Sequence, residues 1–416
     1  MLSEKEKLDI LIHLGIELNR VHDLDILMER ILTESRQFVN ADAGSIYIRD
    51  KNYLNCTYSQ NDTLQKRLPP GEKLIYSTFK IPIDEKSIAG YVAATGKSLT
   101  INDVYNLEPT SPFHFGKKFD QASGYRSQSI LTIPLKNAKD EILGVLQIIN
   151  AKDEADQIKT FPKSDEKMMH HFASIAAVAL ERAQMIRAMI LRMIRMAEMR
   201  DPMETGPHVN RVAAFSVEIY EAWAKIRNLP PSKIDKTRDI LRMAAMLHDV
   251  GKVSTSDLIL KKPDRLDTSE YEIMKLHTLQ GARLFLNRQS DYDEAAGIVA
   301  FTHHEHWDGS GYPGHIDIKT GEPLPGYRLP DGRAKGKEGH EIHLYGRIVA
   351  LADVFDALSS RRSYKEPWSQ SEIYQRIKSE AGSHFDPELT DIFFTRIDMI
   401  RSIQDRYQDG DQEPLY

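Results

Sequence analysis

The chain has 416 residues, more than one ordinary core holds, so two domains are expected. A hydrophobic content of 41% with 28% charged residues excludes a disordered chain, and a net charge of −6 leaves no whole-chain electrostatic footprint for nucleic acid. The single cysteine, Cys56, excludes an internal disulfide and a thiolate-rich metal site. A reducing compartment is expected, and any metal falls to histidines and carboxylates.

Leu8, Leu11, Ile12 and Ile16 recur with helical spacing and predict an opening amphipathic helix. The first residues, MLSEKEKLDILIH, are charged and lack a signal-peptide core. No apolar run approaches the roughly 18–20 residues of a membrane span. The expected location is therefore cytoplasmic, with neither membrane nor nucleic acid as partner. Leu27, Ile31 and Phe38 predict a second helix over about 24–39. The period then changes to two. Ser45–Ile48 and Leu54–Tyr58 read as half-buried strands, and Ser129–Leu135 with Glu141–Ile149 reads as a hairpin across a polar turn. Residues 1–162 thus predict an α+β domain, an antiparallel sheet flanked by helices.

Residues 163–200 predict one long helix, uninterrupted by Gly or Pro until Pro202. Ser164 is the expected cap, with Asp165 and Glu166 at the positive end of the dipole. Seven of the chain's 14 methionines lie here. Ile186, Ile190, Met193 and Ala197 form a coiled-coil-like seam, which predicts a homodimer through this linker helix. The alternative is a helix packed on its own domain.

Residues 201–416 predict an all-α bundle, with Gly- and Pro-rich loops at 306–340. Nine of the 15 histidines lie between 208 and 343. Pro207 suits the start of a helix carrying His208, with Glu204 just before it. A patterned helix ends in His248-Asp249-Val250-Gly251-Lys252. Adjacent His and Asp point about 100° apart on a helix, so an imidazole and a carboxylate can serve different ions. His277 follows on a helical stretch. His303-His304 ends another helix, before Glu305 and Trp307-Asp308-Gly309-Ser310-Gly311-Tyr312-Pro313. Asp353 lies in an apolar helix, where a buried carboxylate demands a partner. Each feature alone has an ordinary structural explanation. Together, five imidazoles and three carboxylates exceed what one ion needs. Two or three divalent ions are expected, iron or manganese given the hard and borderline donors. Such sites activate water and neutralise both oxygens of a phosphate displacement.

These motifs, over roughly 200–400, closely resemble the HD-GYP family, the HD-superfamily phosphodiesterases that degrade cyclic di-GMP. The resemblance implies His248, Asp249, His277, His303, His304 and Asp353 as the dinuclear ligand set, Asp249 bridging. It implies Glu204 and His208 as completing a third site in some members. Lys252, Arg362 and Lys365 match positions that hold substrate phosphates. Tyr312 lies in the signature Gly311-Tyr312-Pro313 loop, which in the family serves shape and contacts with a signalling-protein partner. Asp249 and Lys252 are the catalytic expectations, with Asp308 the candidate proton donor to the leaving group. The implied product is linear pGpG, or GMP after a second cut. Other nucleotide substrates, and a receptor that binds without turnover, stay open. One departure is the Gly-, Pro- and Lys-rich segment 317–343. It reads as a loop: a lid, a source of phosphate contacts through Arg333, Lys335 and Lys337, or the preferred reading, a solvated insertion.

The first half, about 20–180, resembles a GAF sensor domain at Ser87–Lys97, Ile101-Asn102-Asp103-Val104 and Ser129–Asn150. An unidentified small-molecule ligand is implied there. The cyclic-nucleotide motif of some members is only partly matched, by Phe161, Asp165, Glu166 and Asn150, with Lys displaced to 152. Cyclic-nucleotide binding by this half is not the preferred reading.

Overall fold

The computed structural model describes residues 13–69, 74, 79–198, 206–359 and 369–407. Glu204, Arg362, Lys365 and the first residues of the opening helix lie outside the described residues. The chain divides into two compact units, Met1–Arg187 and Ala188–Tyr416.

In the first unit, residues 13–20 are helical and are followed by α1 (Leu24–Phe38). The Asp23 side chain caps α1, accepting from the Asp25 and Ile26 amides. The strands are β1 (Ala41–Asp50), β2 (Tyr53–Asn61), β3 (Phe79–Pro82), β4 (Leu99–Ile101), β5 (Ile130–Lys136), β6 (Ile142–Lys152) and β7 (Ile158–Lys159). They form one antiparallel sheet in the order β3-β2-β1-β6-β5-β4, with β7 paired to β6. The predicted hairpin is β5–β6. Its turn is fastened by Asn137, whose side-chain oxygen accepts the Lys139 and Glu141 amides at 3.0 Å each. Alternation along β1 sends Ile46 into a core with Leu27, Ile31, Leu146 and Phe172, and Tyr47 into a second cluster with Leu54, Val92 and Val145 on the opposite face. Helix α2 (Ile88–Thr95), capped by Ser87, covers that second face and stops at Gly96, whose φ of 65° is the left-handed region.

Helix α3 (Lys163–Glu198) is as long as expected but is no bare linker. Met169, Phe172, Ala173, Ala176, Ala177, Leu180 and Ala183 are buried in the first unit's core. The first unit accordingly runs past 162 to Arg187. Ser164 lies inside the first turn rather than at the cap. Along the predicted seam Ile190 is buried at 7% exposure and Met193 is 46% exposed; Met185, Met189 and Met196 of the same helix are exposed as well.

The second unit is helical, built from α4 (Gly206–Ile226), α5 (Pro231–Ala245), α6 (Thr268–Leu284), α7 (Asp291–Thr302), α8 (Leu344–Ser359), α9 (Gln370–Ser379), α10 (Pro387–Thr395) and α11 (Ile397–Arg406). Phe215 of α4, Phe355 of α8 and Phe393 of α10 pack ring to ring at 5.3 and 5.0 Å in its core. Among the described residues no helix is long and apolar enough to cross a membrane.

Segment 317–343 is loop, as its Pro and Gly content predicts, but it is not simply solvated. Its backbone folds on itself (Leu329 amide to Arg333 carbonyl, 2.8 Å; Lys335 amide to Tyr327 carbonyl, 2.7 Å). The Arg283 side chain of α6 donates to the Ile318 carbonyl at 2.8 Å. Buried Glu305 joins the segment to the loop after α7: its carboxylate accepts the Gly314 amide at 2.6 Å and the Lys337 amide at 3.2 Å. Most of the segment is exposed, as a solvated insertion would be. The segment is anchored, because a buried carboxylate must find donors and finds them in its backbone.

Candidate metal centre

Helix ends deliver the polar side chains to one place. Helix α5 ends at Ala245, and the chain turns through His248 and Asp249 into a 3-10 turn at Val250–Ser254. Gly251 is obligatory in that turn. A Cβ there would lie 1.9 Å from the His277 carbonyl oxygen and 2.4 Å from the Gly281 nitrogen, so only glycine lets the turn press onto α6. That contact sets Asp249 beside His277. Helix α7 ends at Thr302, leaving His303 and His304 at its C-terminus, and α8 supplies Asp353.

The ligand atoms fall into two groups. Asp249, His277, His303 and His304 each offer an atom within 4.8 Å of the others; so do His208, His248 and Asp353. Asp249 stands between the groups. Its Oδ1 is 3.1 Å from His277 Nε2 and 3.5 Å from His303 Nε2, while its Oδ2 is 3.5 Å from His248 Nε2. His208 Nε2 and His248 Nε2 lie 3.6 and 3.8 Å from Asp353 Oδ1. Among the described residues His208 thus falls in the second group.

The imidazoles are oriented by their other nitrogen. His248, His277 and His303 place Nδ1 at 2.9, 2.7 and 3.0 Å from the carbonyls of Ala245, Met274 and Val299. A carbonyl only accepts, so Nδ1 carries the proton and Nε2 turns its lone pair inward. His208 Nδ1 is held at 2.9 Å by Asp356 Oδ2, and Asp356 in turn receives two bonds from Arg211. Such outer partners are how proteins aim metal-binding histidines.

These residues fit a divalent cation. Asp249 Oδ1 and the Nε2 atoms of His277 and His303 are buried, and no hydrogen bond engages them. Acceptors converging without donors are costly away from water, and a cation removes that cost. Burial opposes ionisation of Asp249, but Lys252 and His248 outweigh it and hold the carboxyl well below its usual range. Burial pushes the His303 and His304 imidazoles down, towards the neutral ligating form.

Lys252 reaches the centre, its Nζ 2.6 Å from Asp249 Oδ2. Tyr312 forms one wall, its ring stacked on His304 at 4.8 Å and 24°. Asp308 joins neither group. It is exposed, and Oδ1 accepts the Ser310 amide at 2.9 Å. Burial raises its pKa, but the bonds from Ser310 and nearby His306 together outweigh it and hold the carboxyl below the usual range. That loop position sets Asp308 apart from both ligand groups. Asp356, Arg211 and Glu305 went unassigned in the sequence. The available signal was that Asp353 and Asp356 lie three residues apart on an apolar helix, hence on one face.

In the first unit a cavity of about 630 Å³ lies under the α2 face of the sheet, lined by Tyr47, Phe79, Phe119, Asp120, Tyr125 and Gln147 among others. The partial cyclic-nucleotide motif is spent on structure. Asn150 bonds the Gln128 amide, the Tyr125 hydroxyl and the Arg126 carbonyl. Lys152 pairs with Asp42 and Asp156.

Comparison with known proteins agrees with this division. The model of the GAF domain matches residues 23–180, and models of the HD domain match 205–358 and 330–389. A 3'3'-cGAMP-specific phosphodiesterase 2 of Vibrio cholerae is 36% identical over 201 residues, 48% of this chain and 33% of that protein. A cyclic di-GMP phosphodiesterase of Thermotoga maritima is 36% identical over 222 residues, 53% of this chain and 52% of that protein. The cyclic di-GMP phosphodiesterase response regulator RpfG of Xanthomonas campestris pv. campestris is 38% identical over 152 residues, 36% of this chain and 35% of that protein. The matches thus span between a third and about half of these relatives.

Proposed function

We propose that this chain, which carries a GAF domain followed by an HD domain, is a metal-dependent phosphodiesterase of the HD-GYP type that opens cyclic di-GMP to linear pGpG. The observation that supports this most is the position of Asp249, one oxygen turned to each of two abutting ligand groups. Ions held by His277, His303, His304 and Asp249 and by His208, His248, Asp353 and Asp249 would supply Lewis acidity and an activated water. The imidazole–carboxylate donor set suits iron or manganese.

The protein's own groups serve the phosphate. Lys252 offsets charge on a non-bridging oxygen. Arg362 and Lys365, outside the described residues, are assigned the same role on their sequence match. Glu204 remains the candidate ligand of a third ion. Tyr312 closes the site beside His304. A receptor without turnover is disfavoured, because every described ligand of the expected set is brought into one of the two groups.

The decisive test incubates manganese- or iron-loaded protein with cyclic di-GMP and resolves products by chromatography, beside Asp249→Ala. Wild-type turnover to pGpG with loss of both bound metal and turnover in the variant is expected. Full activity in the variant would sink the assignment. A second substrate reading, a mixed GMP–AMP cyclic dinucleotide, is favoured by the likeness to the 3'3'-cGAMP-specific phosphodiesterase 2 of Vibrio cholerae, and the same assay with 3'3'-cGAMP separates the two.

Regulation is proposed to pass through α3. A small molecule in the GAF cavity would act on activity only by binding two arrangements of the protein with different affinity. The exposed row Met185, Met189, Met193 and Met196 is the proposed contact with a second copy of the chain. The exposed edge of the signature loop, at Asp308 and Ser310, is the proposed contact for a signalling protein.

A further inference from the structure

We infer that Tyr271 is a base-recognition residue, the platform on which one nucleobase of the substrate stacks beside the metal centre. This deepens the cyclic-dinucleotide reading above and rests on it. Tyr271 and Lys275 lie four residues apart on α6, hence on one side of the helix that carries His277. A chain of rings runs outward from the centre. Tyr312 stacks on His304, and Tyr271 meets Tyr312 edge-on at 6.3 Å and 81°. Tyr312 is half-buried, and Tyr271 at the end of the chain is 46% exposed.

An exposed tyrosine alone is ordinary surface. This one is fixed. Lys275 Nζ lies 5.0 Å from the Tyr271 ring centre and 5.6 Å from that of Tyr312, and Glu272 holds the same amine at 2.6 Å. A ring held before ligand arrives costs little further ordering on binding. The substrate has a matching need. A phosphodiester placed at the metal groups carries a nucleoside on each side, and a base taken from water seeks a π face. Tyr271 offers that face two ring contacts from His304. Lys275 is a positioning residue that keeps the two rings in register.

The test uses the full-length, manganese-loaded protein and its Tyr271→Ala, Tyr271→Phe and Lys275→Met variants, all checked for equal metal content. For Tyr271→Ala, KM for cyclic di-GMP should rise roughly 5- to 150-fold while kcat stays within about twofold, the range that base–aromatic stacking supplies. Tyr271→Phe should stay near wild type, and Lys275→Met should fall between. Calorimetric Kd for a non-hydrolysable phosphorothioate cyclic dinucleotide should move with KM. Unchanged KM and Kd in Tyr271→Ala overturns the inference, and so does a fall confined to kcat. Wild-type protein that neither binds nor cleaves a cyclic dinucleotide overturns both readings; wild-type turnover with an indifferent Tyr271→Ala overturns this one alone.

Discussion

Asp356 grips Arg211 by two hydrogen bonds of 2.6 and 2.9 Å, with both side chains at or below 4% exposure, and the oxygen at 2.9 Å also holds His208 Nδ1. Removing the carboxylate would leave a buried guanidinium facing an undirected imidazole. Asp356→Ala should lower stability by about 3–5 kcal/mol in denaturant unfolding, the range for breaking one side of a buried pair. A loss below about 1 kcal/mol would show that the pair contributes little.

Metal stoichiometry should separate the two ligand groups. Asp353→Asn weakens only the group containing His208 and His248, so elemental analysis should find about one ion fewer per chain. Asp249→Asn touches both groups and should deplete both. Equal metal content in the two variants would contradict a shared Asp249.

Glu305 ties the signature loop to segment 317–343 through the Gly314 and Lys337 amides. Hydrogen bonds to a charged group are worth about 1.5–3 kcal/mol each. Glu305→Ala should release the segment, read as faster limited proteolysis within residues 317–343 at an unchanged cleavage rate elsewhere. An unaltered cleavage pattern would assign the anchoring to the Arg283 contacts instead.

The first unit has its own acid response. Burial opposes ionisation of Asp42, but Lys152 at 2.7 Å and Thr63 outweigh it, so the carboxyl titrates below its usual value. A depressed carboxylate stabilises the fold above its unfolded pKa of about 3.9, and that contribution is lost as pH falls through the lower folded value. Asp42→Asn should therefore cost about 3 kcal/mol near neutrality, and the gap to wild type should narrow as the pH falls below the unfolded value. Thermal unfolding across pH measures it; a gap that widens in acid would reverse the sign.

Self-association should depend on the exposed methionines rather than on Ile190. Met189→Glu with Met193→Glu should give monomers by light scattering while circular dichroism stays unchanged. Ile190→Glu should instead destabilise the chain, since that side chain is buried. A dimer that survives the methionine pair would move the interface elsewhere.

The strands and helices were legible because burial imposes a period, two in β1 and β6, 3.6 in α1, α5 and α8. The metal groups were legible because a chain with a single cysteine, Cys56, leaves His, Asp and Glu as the ligands. What stayed hidden depended on three-dimensional neighbours. The face that α3 buries from Met169 to Ala183 is set by the sheet it packs on, which helical spacing alone does not select. Glu305 anchors segment 317–343 by backbone amides, which carry no side-chain signature. Tyr271 and Tyr312 meet across 41 residues of chain, a pairing that helical spacing cannot express.

The carbonyl latches on His248, His277 and His303 carry a consequence for the proton inventory of metal uptake. Loading usually expels protons, because ligands must first shed them. Here Nδ1 of each ring is committed to a backbone carbonyl, so the ring can bind an ion only through Nε2, the same atom that would take up a second proton. Ions and protons therefore compete for one atom, and titration calorimetry at about pH 6, repeated in buffers of contrasting ionisation enthalpy, should return heats that differ with the buffer.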